Sequence, residues 1–544
     1  MFKQLLAQPR FMTLVYVLGA LTLFAGCWLS LWDQDESAYA AFAWNMIQSG
    51  DWLVPEFSWS EIHRKTPLYF WSIAVSNLVF GFGEWAVRLP ALLSILGTAI
   101  WVGWQGRRTF GREAALAASV ILLANLFLPH LVKIAVTDGM LLFFETVAAL
   151  ALVNYFHTGE KQDRWWFVLG VAGALLVKGP PVLILTFGML GLLLLFHPNK
   201  RRWLFFHPWF LFPLAAVPLL LWGRLAWQTD DGVFIRWMID WYTFSRVGGE
   251  VLGQTGPPGY YLITILIAFM PWTLLIVKAF RDLITQFKFR SPDKTELYLL
   301  VWLISGWLIY ELMRSKLPAY AIGAYPAIAL MLGRTAVRLK EQAFKNEFSL
   351  KIGLGLYIIL WLVIAIALPL AVKPMVSTSV WLIALIIGIS IFLMAIWVAY
   401  QAWNDNFTKV VGGILTQSFG FLLAAWLFVL PGMEPLRGAT KTVAHTMSVE
   451  LPKNTTIYFT RNFQLPSLPY YVALEGFDYK EAYTEETWEE LLNSNKPVAL
   501  VFNDEDWATF ENLGIEYHLL ASHQGWISDR GKFVTWRVVT RRSR

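Results

Sequence analysis

Trp32-Asp33-Gln34-Asp35-Glu36-Ser37-Ala38-Tyr39 sets three carboxylates side by side just past an apolar run. A carboxylate in that place can accept a proton from an incoming hydroxyl or amine, the work of a general base. It can equally be local structure, with Asp35 capping a helix and Glu36 answering its dipole. Asp33 and Asp35 could also offer oxygen ligands to a divalent cation, but two-carboxylate spacings are frequent by chance. The next cluster is His63-Arg64-Lys65-Thr66-Pro67-Leu68-Tyr69. Adjacent cations at a membrane interface either snorkel as anchors or bind a lipid phosphate by charge-assisted hydrogen bonds. The aromatic and apolar residues after Lys65 would then accommodate the lipid tail. A carboxylate and a cation pair in one loop suit a reaction between a phosphate-linked lipid donor and an acceptor nucleophile.

Further ionisable residues fall at the ends of apolar segments. Asp138 opens one such segment, Lys178-Gly179-Pro180-Pro181 breaks another, and Asp240 and Arg246 lie in a loop rich in Trp, Gly and charge. Arg314-Ser315-Lys316-Leu317-Pro318-Ala319-Tyr320 adds two cations and a tyrosine at a further segment end. Positive residues are otherwise scarce on that side, so an anionic ligand accounts for this cluster better than topology does. Other signals are weak. The eight histidines show no metal-ligand spacing, and the pairing of His63 with Glu61 reads as structural. No Gly-rich phosphate loop or nucleotide fingerprint is present, which argues against a soluble nucleotide-sugar or ATP substrate.

The elements that must position these groups are membrane helices. Of 544 residues 57% are hydrophobic and 15% charged, against about 25% charged in ordinary soluble domains. The single cysteine, Cys27, excludes an internal disulfide. The net charge of +6 is uneven: from Pro431 onward there are 12 basic and 15 acidic residues, before it 32 and 23. A basic membrane portion follows the positive-inside rule and argues against nucleic acid as a partner. Basic clusters from Lys3 to Lys409 place the cytoplasm and leave thirteen spans: 11–31, 89–106, 113–130, 138–157, 165–178, 181–196, 208–226, 260–280, 296–313, 317–335, 350–372, 378–402 and 410–430. The N-terminus is then inside and the C-terminus outside. Residues 32–88 become one outer loop, with Pro67–Phe82 an amphipathic or re-entrant segment and Ala38–Ile47 a surface helix; 227–259 is a second outer loop. After Leu430 short strands are expected at 455–460, 470–474, 497–503 and 533–540. Acidic helices lie between them, for example Glu485–Leu492 and Asp504–Asn512, making a small α/β domain. The expected organisation is an all-α membrane domain over 1–430 and an extracytoplasmic α/β domain over 431–544. No internal repeat is visible, unlike the two related halves of many transporters.

The acidic Asp35-Glu36-x-x-Tyr39 loop, the Lys65-x-Pro67-Leu68-Tyr69 segment and the later Ser315-Lys316-x-Pro318-x-Tyr320 motif together resemble the GT-C glycosyltransferases. More narrowly, the chain is similar to the bacterial aminoarabinose transferase and protein O-mannosyltransferase family, over nearly its whole length. The resemblance implies transfer of a sugar from a polyprenyl (undecaprenyl) phosphate to a lipid, glycan or protein acceptor at the periplasmic face of the inner membrane. It makes Asp35 the catalytic carboxylate, with Glu36 and Tyr39 in the same motif, and Lys65 the ligand of the donor phosphate, with Arg64 beside it and Tyr69 nearby. Asp138 matches an acidic catalytic-site residue, Lys316 and Tyr320 match a motif near the donor sugar, and Arg246 matches a phosphate-facing arginine. No metal or other cofactor is expected. Two departures bear on specificity: the aminoarabinose enzymes carry arginine where this chain has Ala38, and glutamate where it has Arg64. The alternatives are a protein O-mannosyltransferase-like enzyme and a transporter or flippase of lipid-linked sugars.

Overall fold

Proline and glycine punctuate the apolar runs, and the helices begin and end at them. Pro9, Pro181 and Pro208 open Pro9–Phe24, Pro181–Phe196 and Pro208–Thr229, where a missing N–H costs nothing. Gly159, in the left-handed region at φ 82°, closes Asp138–Thr158. The computed structural model describes residues 2–245, 255–287, 294–340, 342–460, 465–527 and 531–541.

The chain is an integral membrane protein of mainly α-helical fold. Among the described residues six helices are individually long and apolar enough to cross a membrane. A seventh counts if the pair Tyr260–Ala268 and Trp272–Gln286 forms one span; it is bent by 115° at the break before Pro271. Other expected spans are apolar but short, such as Pro9–Phe24 and Pro181–Phe196 at 16 residues each. Asp138–Thr158 is central, 89% buried, against 22% for Lys200–Thr229 and Phe348–Met375, whose apolar faces point outward to lipid. The central helix packs on Glu84–Gln105 and Gln162–Val177.

The segment between the first apolar helix and Glu84–Gln105 is folded inward and does not lie flat. Ala38–Ile47 was expected as a surface helix; the observed helix, Asp35–Ser49, has Ala38 through Ala43 buried. The reason is aromatic packing against the next helix, Leu68–Phe80: Tyr39 and Phe42 meet Phe70 at ring-centroid distances of 5.3 and 5.2 Å. Leu68–Phe80 has 13 residues, too few to cross, and shows Val75, Leu78, Val79 and Phe80 on its exposed face.

One ion pair fixes the start of this loop. Arg88 and Glu36 are fully buried. Arg88 Nε donates to Glu36 Oε1 and Nη2 to Oε2, each at 2.8 Å. The remaining donors reach the carbonyls of Cys27, Leu29 and Ser30 at 2.9, 2.6 and 3.0 Å. All five guanidinium N–H groups are therefore satisfied. Glu36 Oε2 also accepts the Trp32 backbone N–H at 2.8 Å.

Beyond the last apolar helix a five-stranded mixed sheet forms. Its strands are β1 Thr456–Thr460, β2 Tyr479–Ala482, β3 Val498–Phe502, β4 Tyr517–Ile527 and β5 Lys532–Arg541, in the order β2-β1-β3-β5-β4. β1 runs parallel to β2 and β3, and β5 is antiparallel to β3 and β4. The strand expected at 470–474 is instead part of the helix Ser467–Leu474. Its apolar run lacks alternation, so strand and helix were indistinguishable by period, and the helical N-terminus is set after Pro466. The sheet unit docks on the first loop: Ser30 donates to Glu434, Tyr471 Oη accepts from the Leu31 N–H at 2.9 Å, and Ser467 donates to Asp33.

Arg88→Met would leave Glu36 buried and unpaired. It is expected to cost about 3–5 kcal/mol, read as a fall in the unfolding temperature of the detergent-purified protein. The double variant Arg88→Met, Glu36→Leu should recover most of that loss.

Candidate functional site

Asp35 stands at the first position of its helix, one residue inside the cap position occupied by Gln34, so it is not the capping residue. Its Oδ1 accepts from Tyr39 Oη at 3.0 Å, one helical turn on, and lies 3.0 Å from His63 Nδ1. Lys65 Nζ is 3.8 Å from the same oxygen, hydrogen-bonds Tyr39 Oη, and lies 4.6 Å from the centre of the Tyr39 ring. Every such contact falls on Oδ1. The carboxyl is 48% exposed, and among the described residues Oδ2 has no partner. Burial by itself would push this carboxyl up; the Lys65 ammonium and the His63 hydrogen bond outweigh it and hold Asp35 well below the usual carboxylate range.

Lys65 also borders a cavity of about 630 Å³. Lys178 and Arg224 line it too, and Leu219, Trp222 and Ile239 give it an apolar surface. Lys178 is placed by Asp138, whose Oδ1 is 2.7 Å from its Nζ, and the ammonium lies 5.9 Å from the Tyr320 ring. The cavity thus combines two ammonium groups with a hydrocarbon lining. That is the shape and polarity of a phosphate carrying a long apolar tail.

Residues 64–227 match the family model described as dolichyl-phosphate-mannose-protein mannosyltransferase. The undecaprenyl phosphate-alpha-4-amino-4-deoxy-L-arabinose arabinosyl transferase of Edwardsiella ictaluri is 28% identical over 60% of each chain. The chain therefore spans about three fifths of the length of such curated relatives. An uncharacterized protein of Aquifex aeolicus is 25% identical over 81% of this chain and 82% of its own. The crystal structure of ArnT from Cupriavidus metallidurans bound to undecaprenyl phosphate superposes with TM-score 0.78 at 18% identity, covering 98% of both chains. The chain has the same fold as ArnT. An oligosaccharyltransferase from Archaeoglobus fulgidus shares the fold more distantly, with TM-score 0.51 at 11% identity over 97% of this chain and 74% of that one.

Within this fold, the residues singled out in the sequence separate into two groups. Asp35 and Tyr39 gather at Lys65, and Asp138 and Tyr320 at Lys178, the two lysines lining one cavity. Others take different work. Glu36, expected to be catalytic, has both oxygens engaged by Arg88 and is buried away from solvent. Lys316, expected on the ligand, is buried: it donates to the carbonyls of Tyr310 and Glu311 at 3.3 and 2.9 Å and lies 5.2 Å from the Tyr261 ring. Tyr69 packs edge-on to Tyr39 at 5.9 Å with no exposed surface, beneath the site and not within it. Arg64 lies 5.7 and 5.4 Å from the ring centres of Phe234 and Trp237, held by aromatic faces. Arg246 lies outside the described residues. Asp33 accepts from Ser37 and Ser467 while Asp35 turns to His63 and Lys65, so the two carboxylates do not share a point where one cation could bind. Among the described residues no three His, Cys, Asp or Glu side chains converge on one.

The roles of three residues escaped the sequence reading. Arg224 is a cation inside an apolar helix, a signal available from composition. Arg88 is likewise the single cation of the apolar helix Glu84–Gln105. His63 was paired with Glu61 as a structural residue, whereas its partner is Asp35, 28 residues away.

Since Lys65 is the main influence lowering Asp35, Lys65→Met should raise the carboxyl's titration and bring protonation at a higher pH than in the parent. Infrared difference titration of the carboxyl band, with Asp35→Asn as the blank, reads this directly. An unchanged titration would contradict the assignment.

Proposed function

We propose that the protein is a membrane glycosyltransferase that moves a sugar from a polyprenyl phosphate to an acceptor at the periplasmic face of the bacterial inner membrane. The observation that carries this reading is the apolar cavity lined by Lys65 and Lys178, with Asp35 3.8 Å from the Lys65 ammonium. The names of the curated relatives, and the undecaprenyl phosphate held by a protein of the same fold, support it. In this reading the membrane domain covers 1–430 in thirteen spans, the N-terminus is cytoplasmic, and the α/β domain 431–544 is periplasmic.

The donor's tail occupies the trough and its phosphate meets Lys65. As the bond from the anomeric carbon to the phosphate oxygen breaks, negative charge grows on the departing polyprenyl phosphate. The Lys65 ammonium, preorganised by Tyr39 and Asp35, stabilises that charge. Lys178, aligned by Asp138, faces the same cavity and holds the sugar end. The acceptor oxygen attacks from the side of Asp35, whose Oδ2 is the unengaged oxygen.

A carboxylate held far below its usual range is a weak base. Asp35 therefore orients the nucleophile and does not need to deprotonate it strongly. This favours an acceptor already ionised at neutral pH, such as a lipid phosphate of the outer envelope, over a protein hydroxyl. A transporter or flippase is less consistent with the site, because its charged groups gather at one membrane face.

Asp35→Asn should abolish transfer while the protein accumulates in the membrane at the parental level. Mass spectrometry of lipids, glycans and surface proteins from cells with no copy, the parental copy and the variant copy would identify sugar and acceptor together. Near-normal modification by the variant would overturn the reading.

A further inference from the structure

His63 ends a short helical turn, Glu61–His63, two residues ahead of Lys65. Its side chain is 9% exposed, and Nδ1 lies 3.0 Å from Asp35 Oδ1. A carboxylate held ionised is an acceptor only, so the ring nitrogen facing it must carry a hydrogen. Nε2 is buried and has no hydrogen-bond partner among the described residues. The polar contact of this ring is thus with Asp35.

We propose that His63 is a positioning residue for the transfer reaction: its Nδ1–H pins Oδ1 of Asp35, so that Oδ2 is the oxygen presented to the acceptor. This rests on the glycosyltransferase reading and deepens it. The terminal torsion of an aspartate is broad and two-fold, so a carboxylate without a fixed partner exchanges its oxygens. Tyr39 cannot fix Asp35 against the donor site, because it belongs to the same helix and moves with it. Lys65 at 3.8 Å supplies charge without a directed hydrogen bond. His63 comes from the other segment. It ties the start of the Asp35 helix to the strand of chain that carries Lys65, and so sets the distance between the group that orients the acceptor and the group that receives the departing phosphate.

The test is steady-state transfer by the full-length protein in nanodiscs, with a polyprenyl-phosphate sugar as donor. The variants are His63→Phe, His63→Gln and His63→Asn. The amide nitrogen of asparagine reaches the place of Nδ1, whereas that of glutamine reaches the place of Nε2. His63→Phe and His63→Gln should lower kcat by about 100-fold, the scale of a misplaced reacting group, with the donor KM within a few-fold of the parent. His63→Asn should regain at least tenfold over His63→Phe. Rates for His63→Asn as low as for His63→Phe, with both proteins folded, would overturn the positioning role. So would parental turnover in His63→Phe. Parental turnover in Asp35→Asn would instead overturn the catalytic reading on which the proposal rests.

Discussion

The buried pair of Glu36 and Arg88 is the constraint on which the outer half of the molecule is built. Removing one partner from such a pair is far more damaging than replacing both, because an unpaired charge stays buried. Here the pair does more than balance charge. Arg88 gathers the carbonyls of Cys27, Leu29 and Ser30, so the chain leaving the first apolar helix is held against the helix Glu84–Gln105. Glu36 accepts the Trp32 N–H and fixes the start of the helix that carries Asp35. The α/β unit then docks on this clamped segment through Glu434, Ser467 and Tyr471.

Two adjacent carboxylates therefore have opposite duties, decided by what surrounds them. Glu36 is enclosed and saturated; Asp35 is half exposed, with its contacts gathered on a single oxygen. The pairing of Lys178 with Asp138 repeats the pattern elsewhere in the cavity lining, where a carboxylate orients a cation. Each ammonium that faces the trough is thus held by a neighbouring acid, which lets positive charge sit beside an apolar surface before any anionic ligand arrives.

Much of the outline was legible in the sequence. Apolar length and basic clusters marked the membrane helices, and spacing within short motifs singled out Asp35, Tyr39, Lys65, Asp138 and Tyr320. Contacts between distant segments were not legible. Glu36 carries the same charge as Asp35 and sits beside it, so only its pairing with Arg88, 52 residues away, shows that it is structural. Lys316 is a different case: its partners Tyr310 and Glu311 are close in sequence, but the burial that turns its ammonium onto them is not legible there. The helix at Ser467–Leu474 defeated the periodicity rule because both its faces are apolar. His63 became meaningful only when the loop folded it onto Asp35.

The central claim is that Lys65 receives the phosphate of a polyprenyl lipid whose tail fills the adjoining trough. The most direct measurement is native mass spectrometry of the parent and Lys65→Met proteins, each competed with undecaprenyl phosphate and with undecaprenol. The account predicts that the parent retains the phosphate lipid at least tenfold better than the alcohol, and that Lys65→Met loses this preference. Equal retention of the two lipids by the parent, or an unchanged preference in Lys65→Met, would contradict it.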